Sequence, residues 1–358
     1  MTIVIFILVL SLMVFVHELG HFIMAKRAGV KVEEFGFGYP PRLFAIKRGE
    51  TEYSINIIPL GGFTKMLGEE DPSDPRSFAR AKKRWRTIIL VAGSMMNIFL
   101  AALLFAGSFM AGSPEPVQTQ TRISFIVPGS PAETAGLKPG DVLVDFAGND
   151  ITTAKQIRPL AETYKGQEVT IEVQRDGNLI PLTIVPRATW PSGEGPLGIA
   201  AVDYPTKMEA VSHPFLESLV MGIRQTVSVI VFTLYVPIMI LRGALPLELA
   251  RPVGPIGIYQ ITSQAATESV NTGWLFPLLN VSGLLSASLG VANLLPIPGL
   301  DGGRLVFVIL EAVRRKRVSP EREGFVHLVG LAVLVSLVLV ISYFDLLSPV
   351  PNIDWGVK

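Results

Sequence analysis

Apolar residues in this 358-residue chain gather into long runs near both ends and around residue 90, and these enclose a stretch of ordinary polarity. A hydrocarbon core about 30 Å thick takes roughly 20 apolar residues as helix. Ile3 to Met24 meets this, as do Ile88 to Met110 and Phe325 to Phe344. Val281 to Val313 forms another span, interrupted by Pro296 and Pro298. The first run also has the length of a secretory signal core. No basic residue precedes it and no small-x-small cleavage site follows it, so it is expected to stay as a span. A further run, Thr226 to Leu241, is shorter and contains Pro237. It is expected to lie in, or dip into, the outer interface; the alternative is that it crosses together with a weak segment near Trp274 to Leu279.

Elsewhere the period shortens to that of strands. Val32 to Phe37, Arg42 to Ile46 and Thr51 to Ile58 are separated by turn-forming Gly-Tyr-Pro-Pro and Lys-Arg-Gly-Glu, with another turn expected at Pro59-Leu60-Gly61-Gly62. Residues 121 to 188 predict a compact β-rich domain. Its strands are Ile123 to Val127, Asp141 to Phe146, Glu168 to Gln174 and Leu179 to Val185, with a helix over Ala154 to Tyr164. Arg175-Asp176-Gly177-Asn178 has the chemistry of a tight hairpin.

Charge orients these elements. Lys26, Arg27 and the cluster Lys82, Lys83, Arg84, Arg86 flank the loop between the first two spans, and Arg314, Arg315, Lys316, Arg317 precede the last. Basic loops stay cytoplasmic, so both loops face inward and the mildly acidic stretch from about 112 to 215 faces outward. Four spans satisfy this, with both termini outside. Only 17% of residues are charged, against about 25% for soluble domains. The net charge of +1 argues against a nucleic-acid partner, and the absence of cysteine rules out disulfides and thiolate metal sites.

Any metal must therefore be held by carboxylates and the four histidines, His17, His21, His213 and His327. His17-Glu18-Leu19-Gly20-His21 is an H-E-x-x-H motif: on a helix the two imidazoles share a face, and Glu18 beside them suits a general base. An acidic residue in mid-span costs about 2.5–3.5 kcal/mol, and a bound cation offsets this; the competing reading is a motif hydrated at the cytoplasmic boundary. A catalytic zinc site takes three protein ligands. His213 ends the outer domain and His327 opens the last span, so both suit an interface better than a metal. Asp301 is better placed, inside Asn293-Leu294-Leu295-Pro296-Ile297-Pro298-Gly299-Leu300-Asp301-Gly302-Gly303, where prolines and glycines break the span. Irregular backbone at membrane depth is tolerated only where it is buried or lines a wet cavity. A proline kink with a capping aspartate is the plainer reading of that stretch.

Taken together, His17-Glu18-x-x-His21, the Asn293-x-x-Pro296-x-Pro298-x-Leu300-Asp301-Gly302 stretch and the middle domain resemble the site-2 protease family of intramembrane zinc metalloproteases. The similarity is greatest to its bacterial regulator-of-sigma-E-like members. The run Gly129 to Leu143 is similar to PDZ domains of bacterial proteases. By this resemblance His17, His21 and Asp301 hold Zn2+, Glu18 activates water, and Asn293 contacts the substrate backbone or the developing oxyanion. Gly93-Ser94-Met95-Met96-Asn97 is similar to a family Gly-x-x-x-Asn element, which adds Asn97 as a candidate near the substrate. The resemblance further implies regulated intramembrane proteolysis in the bacterial inner membrane, with single-pass membrane proteins, anti-sigma factors among them, as substrates. The strands at 32 to 58 look like the family's membrane-associated β-region.

The expected fold is thus a polytopic α-helical membrane protein of about four transmembrane helices, with a β-region and an inserted extracytoplasmic PDZ-like α+β domain. Its parts are the first helix (1–28), the β-region and basic loop (29–86), the second helix (87–111), the PDZ-like domain (112–205), the interfacial helix and connector (206–279), the broken third span (280–313), the basic loop (314–324), and the fourth helix and tail (325–358). Two other functions compete. A transporter would also carry broken helices with polar residues at mid-depth, but no inverted repeat is visible. A catalytically silent scaffold is opposed by the intact motifs.

Overall fold

The computed structural model describes residues 1–69, 71–244 and 252–356. Glu70 of the expected basic loop, residues 245–251 of the expected connector and the last two residues of the tail lie outside the described residues. Two compact units result: Met1–Ser113 with Ser212–Asp354, and Pro114–Val211 with the chain end from Trp355.

The first unit is built on α1 (Thr2–Arg27), α2 (Lys83–Gly112), α5 (Phe215–Leu241), α6 (Pro255–Thr272), α7 (Phe276–Leu294), α8 (Asp301–Arg314) and α9 (Pro320–Leu347). Five of these, α1, α2, α5, α7 and α9, are long and apolar enough to cross a membrane. α2 is the central element, packing against α1, α5 and α7. Small residues set the closeness of that packing: a side chain on Gly20 of α1 would collide with the Ala92 carbonyl of α2. Buried apolar residues form two clusters, one around Ala25, Val32, Ile89 and Leu90, the other around Ala101, Phe105, Val229 and Ala287. Leu328, Val333, Leu339, Phe99 and Phe232 are among the large apolar side chains that face outward, which suits lipid rather than water.

The helix at the Thr226 run begins eleven residues earlier than the apolar pattern suggests, at Phe215, because Glu217 and Arg224 interrupt the run without interrupting helical geometry. The third predicted span resolves into α7 and α8, separated by a linker from Leu295 to Leu300.

The β-region is β1 (Val32–Arg48) paired with β2 (Thr51–Met66). Each long strand folds back on itself, since Phe35 pairs with both Tyr53 and Thr64, while Tyr53 pairs also with Ile46. The turns predicted near residues 38–41 and 59–62 are therefore present as reversals of the pairing.

In the second unit the sheet order is β7-β6-β4-β3-β8, with the short β5 (Asn149–Asp150) on β4. The strands are β3 (Ser113–Ile126), β4 (Val142–Phe146), β6 (Val169–Arg175), β7 (Asn178–Ile184) and β8 (Ile199–Val211). The short helix α3 (Pro131–Thr134) precedes β4, and α4 (Ile157–Thr163) follows β5. Alternating Ile171, Val173, Ile184, Leu143 and Phe146 supply the core. Arg175 pairs with Asn178 across Asp176 and Gly177, both at positive φ, as a two-residue hairpin requires. β8 was not predicted, and it moves the boundary from 205 to Val211; Thr206 donates to the Gln118 carbonyl of β3 in that added length.

Asp141 is buried and receives two bonds from Arg175, at 2.7 and 2.8 Å, and one from the Lys138 amide. Burial alone would raise its pKa, but these partners outweigh burial and hold the carboxyl below its ordinary range. A group depressed on folding stabilises fully above its unfolded value, about 3.9, and that contribution is lost as pH falls through the folded value. Asp141→Asn is expected to cost about 2 kcal/mol at neutral pH and to flatten the acid limb. Hydrogen exchange of β4 and β6 in the full-length protein measures both effects; unchanged protection from pH 3 to 7 would contradict the assignment.

Candidate metal centre

α1 places His17 and His21 one turn apart on the face turned to α2, and both are buried. Asp301 opens α8 directly after the proline-broken linker, and the Gly303 amide donates to the Leu300 carbonyl at the start of that helix. The three side chains converge. His17 Nε2 and His21 Nε2 lie 3.1 Å apart, and Asp301 Oδ2 is 3.1 Å from the first and 3.2 Å from the second. Among the described residues this trio forms a group able to hold a metal.

The chemistry of the donors fits zinc. His21 Nδ1 donates to the Ile89 carbonyl at 2.8 Å, which leaves its Nε2 as a bare lone pair. That lone pair, a second imidazole nitrogen and a carboxylate oxygen then face one another, an arrangement a cation makes favourable. Zinc bonds of about 2.0–2.1 Å at tetrahedral angles put ligand atoms about 3.3 Å apart, near the spacing found here.

α2 forms the wall behind the imidazoles. Gly93 is the closest point, where a Cβ would lie 2.5 Å from His21 Nε2 and 2.8 Å from His17 Nε2. Asn97, one turn on, is fully buried, and its amide nitrogen is placed 3.5 Å from His17 Nδ1. Its Oδ1 has no partner among the described residues. The two amide atoms are interchangeable by a flip, which would set an acceptor beside the Nδ1–H that a metal-facing His17 carries. Asn97 is thus placed against His17, and its side chain is buried behind the imidazoles.

In front lies a cleft of about 240 Å³, lined by Glu18, Phe63, Thr64, Glu69, Asp301 and Arg304 together with the two imidazoles. Thr64 Oγ1 donates to the Glu18 carbonyl, and Glu69 pairs with Arg304 at 2.7 Å. Asn293 sits half-buried in the last turn of α7 and does not line this cleft. His213 and His327 stand apart from the trio. His213 packs on Phe109 near Ser113, and His327 accepts from the Gly299 amide. The Ile89 carbonyl has no sequence signal, because every residue carries one. Arg304, three residues after Asp301, had one in its spacing.

The family model for peptidase family M50 matches residues 5–337. The chain belongs to peptidase family M50, the site-2 protease family. Relatives span nearly its whole length. A Clostridium acetobutylicum protein provisionally named as a zinc metalloprotease is 36% identical over 353 residues, covering 97% of this chain and 98% of the relative. The zinc metalloprotease RasP of Oceanobacillus iheyensis is 29% identical, with 96% and 98% covered. The regulator of sigma-W protease RasP of Bacillus subtilis is 28% identical, with the same coverage. Membership of this family makes the chain a multi-pass membrane metalloprotease.

Proposed function

We propose that this M50 protein is a zinc-dependent endopeptidase that hydrolyses peptide bonds within the membrane segments of other membrane proteins. The observation that carries the reading is the meeting of His17, His21 and Asp301 beside Glu18, in a polar cleft of an otherwise apolar helical unit. Zinc, when bound by that trio, supplies a Lewis acid that polarises the scissile carbonyl and acidifies water. Glu18 takes the proton from the attacking water and delivers it to the departing amine. Asn97 and the Ile89 carbonyl orient the two imidazoles. Gly62, Phe63 and Thr64 of β2 border the cleft and offer extended backbone to a substrate that has locally unwound. Asn293 keeps its oxyanion or substrate-backbone role on the resemblance alone.

The substrates proposed are single-pass proteins, anti-sigma factors among them. The sigma-W link in the Bacillus subtilis relative's name supports this class. The second unit is read as a PDZ-like, extracytoplasmic domain. A groove of about 250 Å³ between α4 and the stretch Gly193 to Ala201 supports that reading. Four spans remain the favoured count, although α5 is long enough to cross. The start of α6 is bonded to Asp345 near the outward end of α9, and Trp274 beyond its end donates to Gly112 at the outward end of α2. With the orientation expected from the basic loops, these bonds support an outward position for both ends of α6.

The test is a single-span reporter in vesicles containing the purified protein. Cleavage is expected inside the reporter's membrane segment, to fall at least about a hundredfold with a zinc chelator, and to return with zinc. Undiminished cleavage after complete metal removal, or cleavage only outside the bilayer, would overturn the proposal.

A further inference from the structure

α9 is the most weakly embedded long helix of its unit: along Pro320–Leu347 only Glu323 and Asp345 are buried. One face of it is nevertheless pressed onto the backbone that carries Asp301. His327 Nδ1 accepts the Gly299 N–H at 2.9 Å. One turn on, Gly330 leaves no room for a side chain, since a Cβ there would overlap the Cβ and carbonyl of Pro298. A Cβ at Gly299, whose φ is +97°, would meet the Leu331 amide and Leu334 Cδ1 at 3.4 Å. Positions 327, 330, 331 and 334 lie on one helical face. The imidazole is also seated on Phe307 of α8, with ring centroids 5.4 Å apart.

Pro298 and Gly299 lie three and two residues before Asp301, and the turn has few ties of its own: Ile297 donates to Leu295 at 2.7 Å and Leu300 to Ile297 at 3.2 Å. We infer that His327 is a positioning residue for Asp301: by accepting the Gly299 amide and packing against the Phe307 ring, it fixes the turn that aims the carboxylate at the two imidazoles, and it couples α9 to the metal centre. The role requires a lone pair on Nδ1, with the ring proton on Nε2. The inference rests on Asp301 being a metal ligand, as proposed above.

Purified full-length protein, loaded with zinc or with cobalt(II) as a spectroscopic probe, tests this. His327→Leu removes the acceptor. It is expected to weaken zinc binding about tenfold in competition with a chelator, to alter the cobalt visible bands, and to lower kcat more than it raises KM. His327→Asn, whose Oδ1 can occupy the place of Nδ1, is expected to restore affinity and spectrum to about wild type. Should His327→Leu fail to fold, Gly330→Ala, which wedges α9 away from Pro298, is expected to give the same zinc and cobalt changes. Wild-type affinity and spectrum in the folded Leu variant, or in Gly330→Ala, would overturn the inference, as would an Asn variant no better than Leu. Wild-type protein that binds neither metal would instead sink the metal reading itself, whatever the behaviour of position 327.

Discussion

Replacing Glu18 by Gln is expected to lower cleavage roughly a thousandfold, within the range for loss of a general base, while zinc content stays at one per chain. The amide has the shape of the carboxylate but accepts no proton at neutral pH. A thousandfold loss corresponds to about 4 kcal/mol in the barrier. Glu18 lines the cleft, whereas the converging ligand atoms belong to His17, His21 and Asp301, so metal binding is not expected to change. Reporter cleavage in vesicles and zinc analysis of the same preparation read both quantities. Cleavage within tenfold of wild type would remove Glu18 from the chemistry, and loss of zinc would make it a ligand instead.

The second large effect is expected at a residue with no functional group. Gly93→Ala puts a methyl 2.5 Å from His21 Nε2 and 2.8 Å from His17 Nε2. α2 has little freedom to retreat, because Gly20 of α1 is pressed against the Ala92 carbonyl and Gly290 of α7 against the Ser94 carbonyl. Zinc affinity is expected to fall by at least about a hundredfold, the upper end for loss of support around a metal, and cleavage with it. Helix propensity moves the other way, since alanine favours a helix interior by about 1 kcal/mol over glycine. A folded, fully helical protein without metal is therefore the expected outcome. Gly107→Ala on the same helix is the control: its Cβ would meet only Leu279 Cδ1, at 3.5 Å, so activity is expected to be unchanged. Equal zinc retention in the two variants would show that α2 does not wall the site.

How far the sequence reached follows from where information is stored in it. His17, Glu18 and His21 were legible because helical spacing alone puts i and i+4 side by side. Asp301 was legible because prolines and glycines in an apolar run have few uses besides breaking it. The distance between Asp301 and the imidazoles was not legible, since it depends on how α2 and α7 bring remote segments together. Gly93 appeared only as one letter of a short motif; its meaning comes from the two rings packed on it. The proximity of Asn97 to His17 was not legible, because a motif says nothing about which way an amide faces. β8 escaped because Ile199 to Val211 alternates weakly and carries Pro205, while its sheet partner β3 supplies the order. The start of α5 was missed for a related reason: Glu217 and Arg224 break an apolar run without breaking a helix.

X-ray absorption at the zinc edge of the purified wild-type protein probes the metal centre without any substitution. The expected spectrum is one zinc per chain with two nitrogen ligands and a carboxylate oxygen at about 2.0–2.2 Å, a water-type oxygen completing the shell. A metal-free protein, or a shell containing a single imidazole, would contradict a centre shared by α1 and α8.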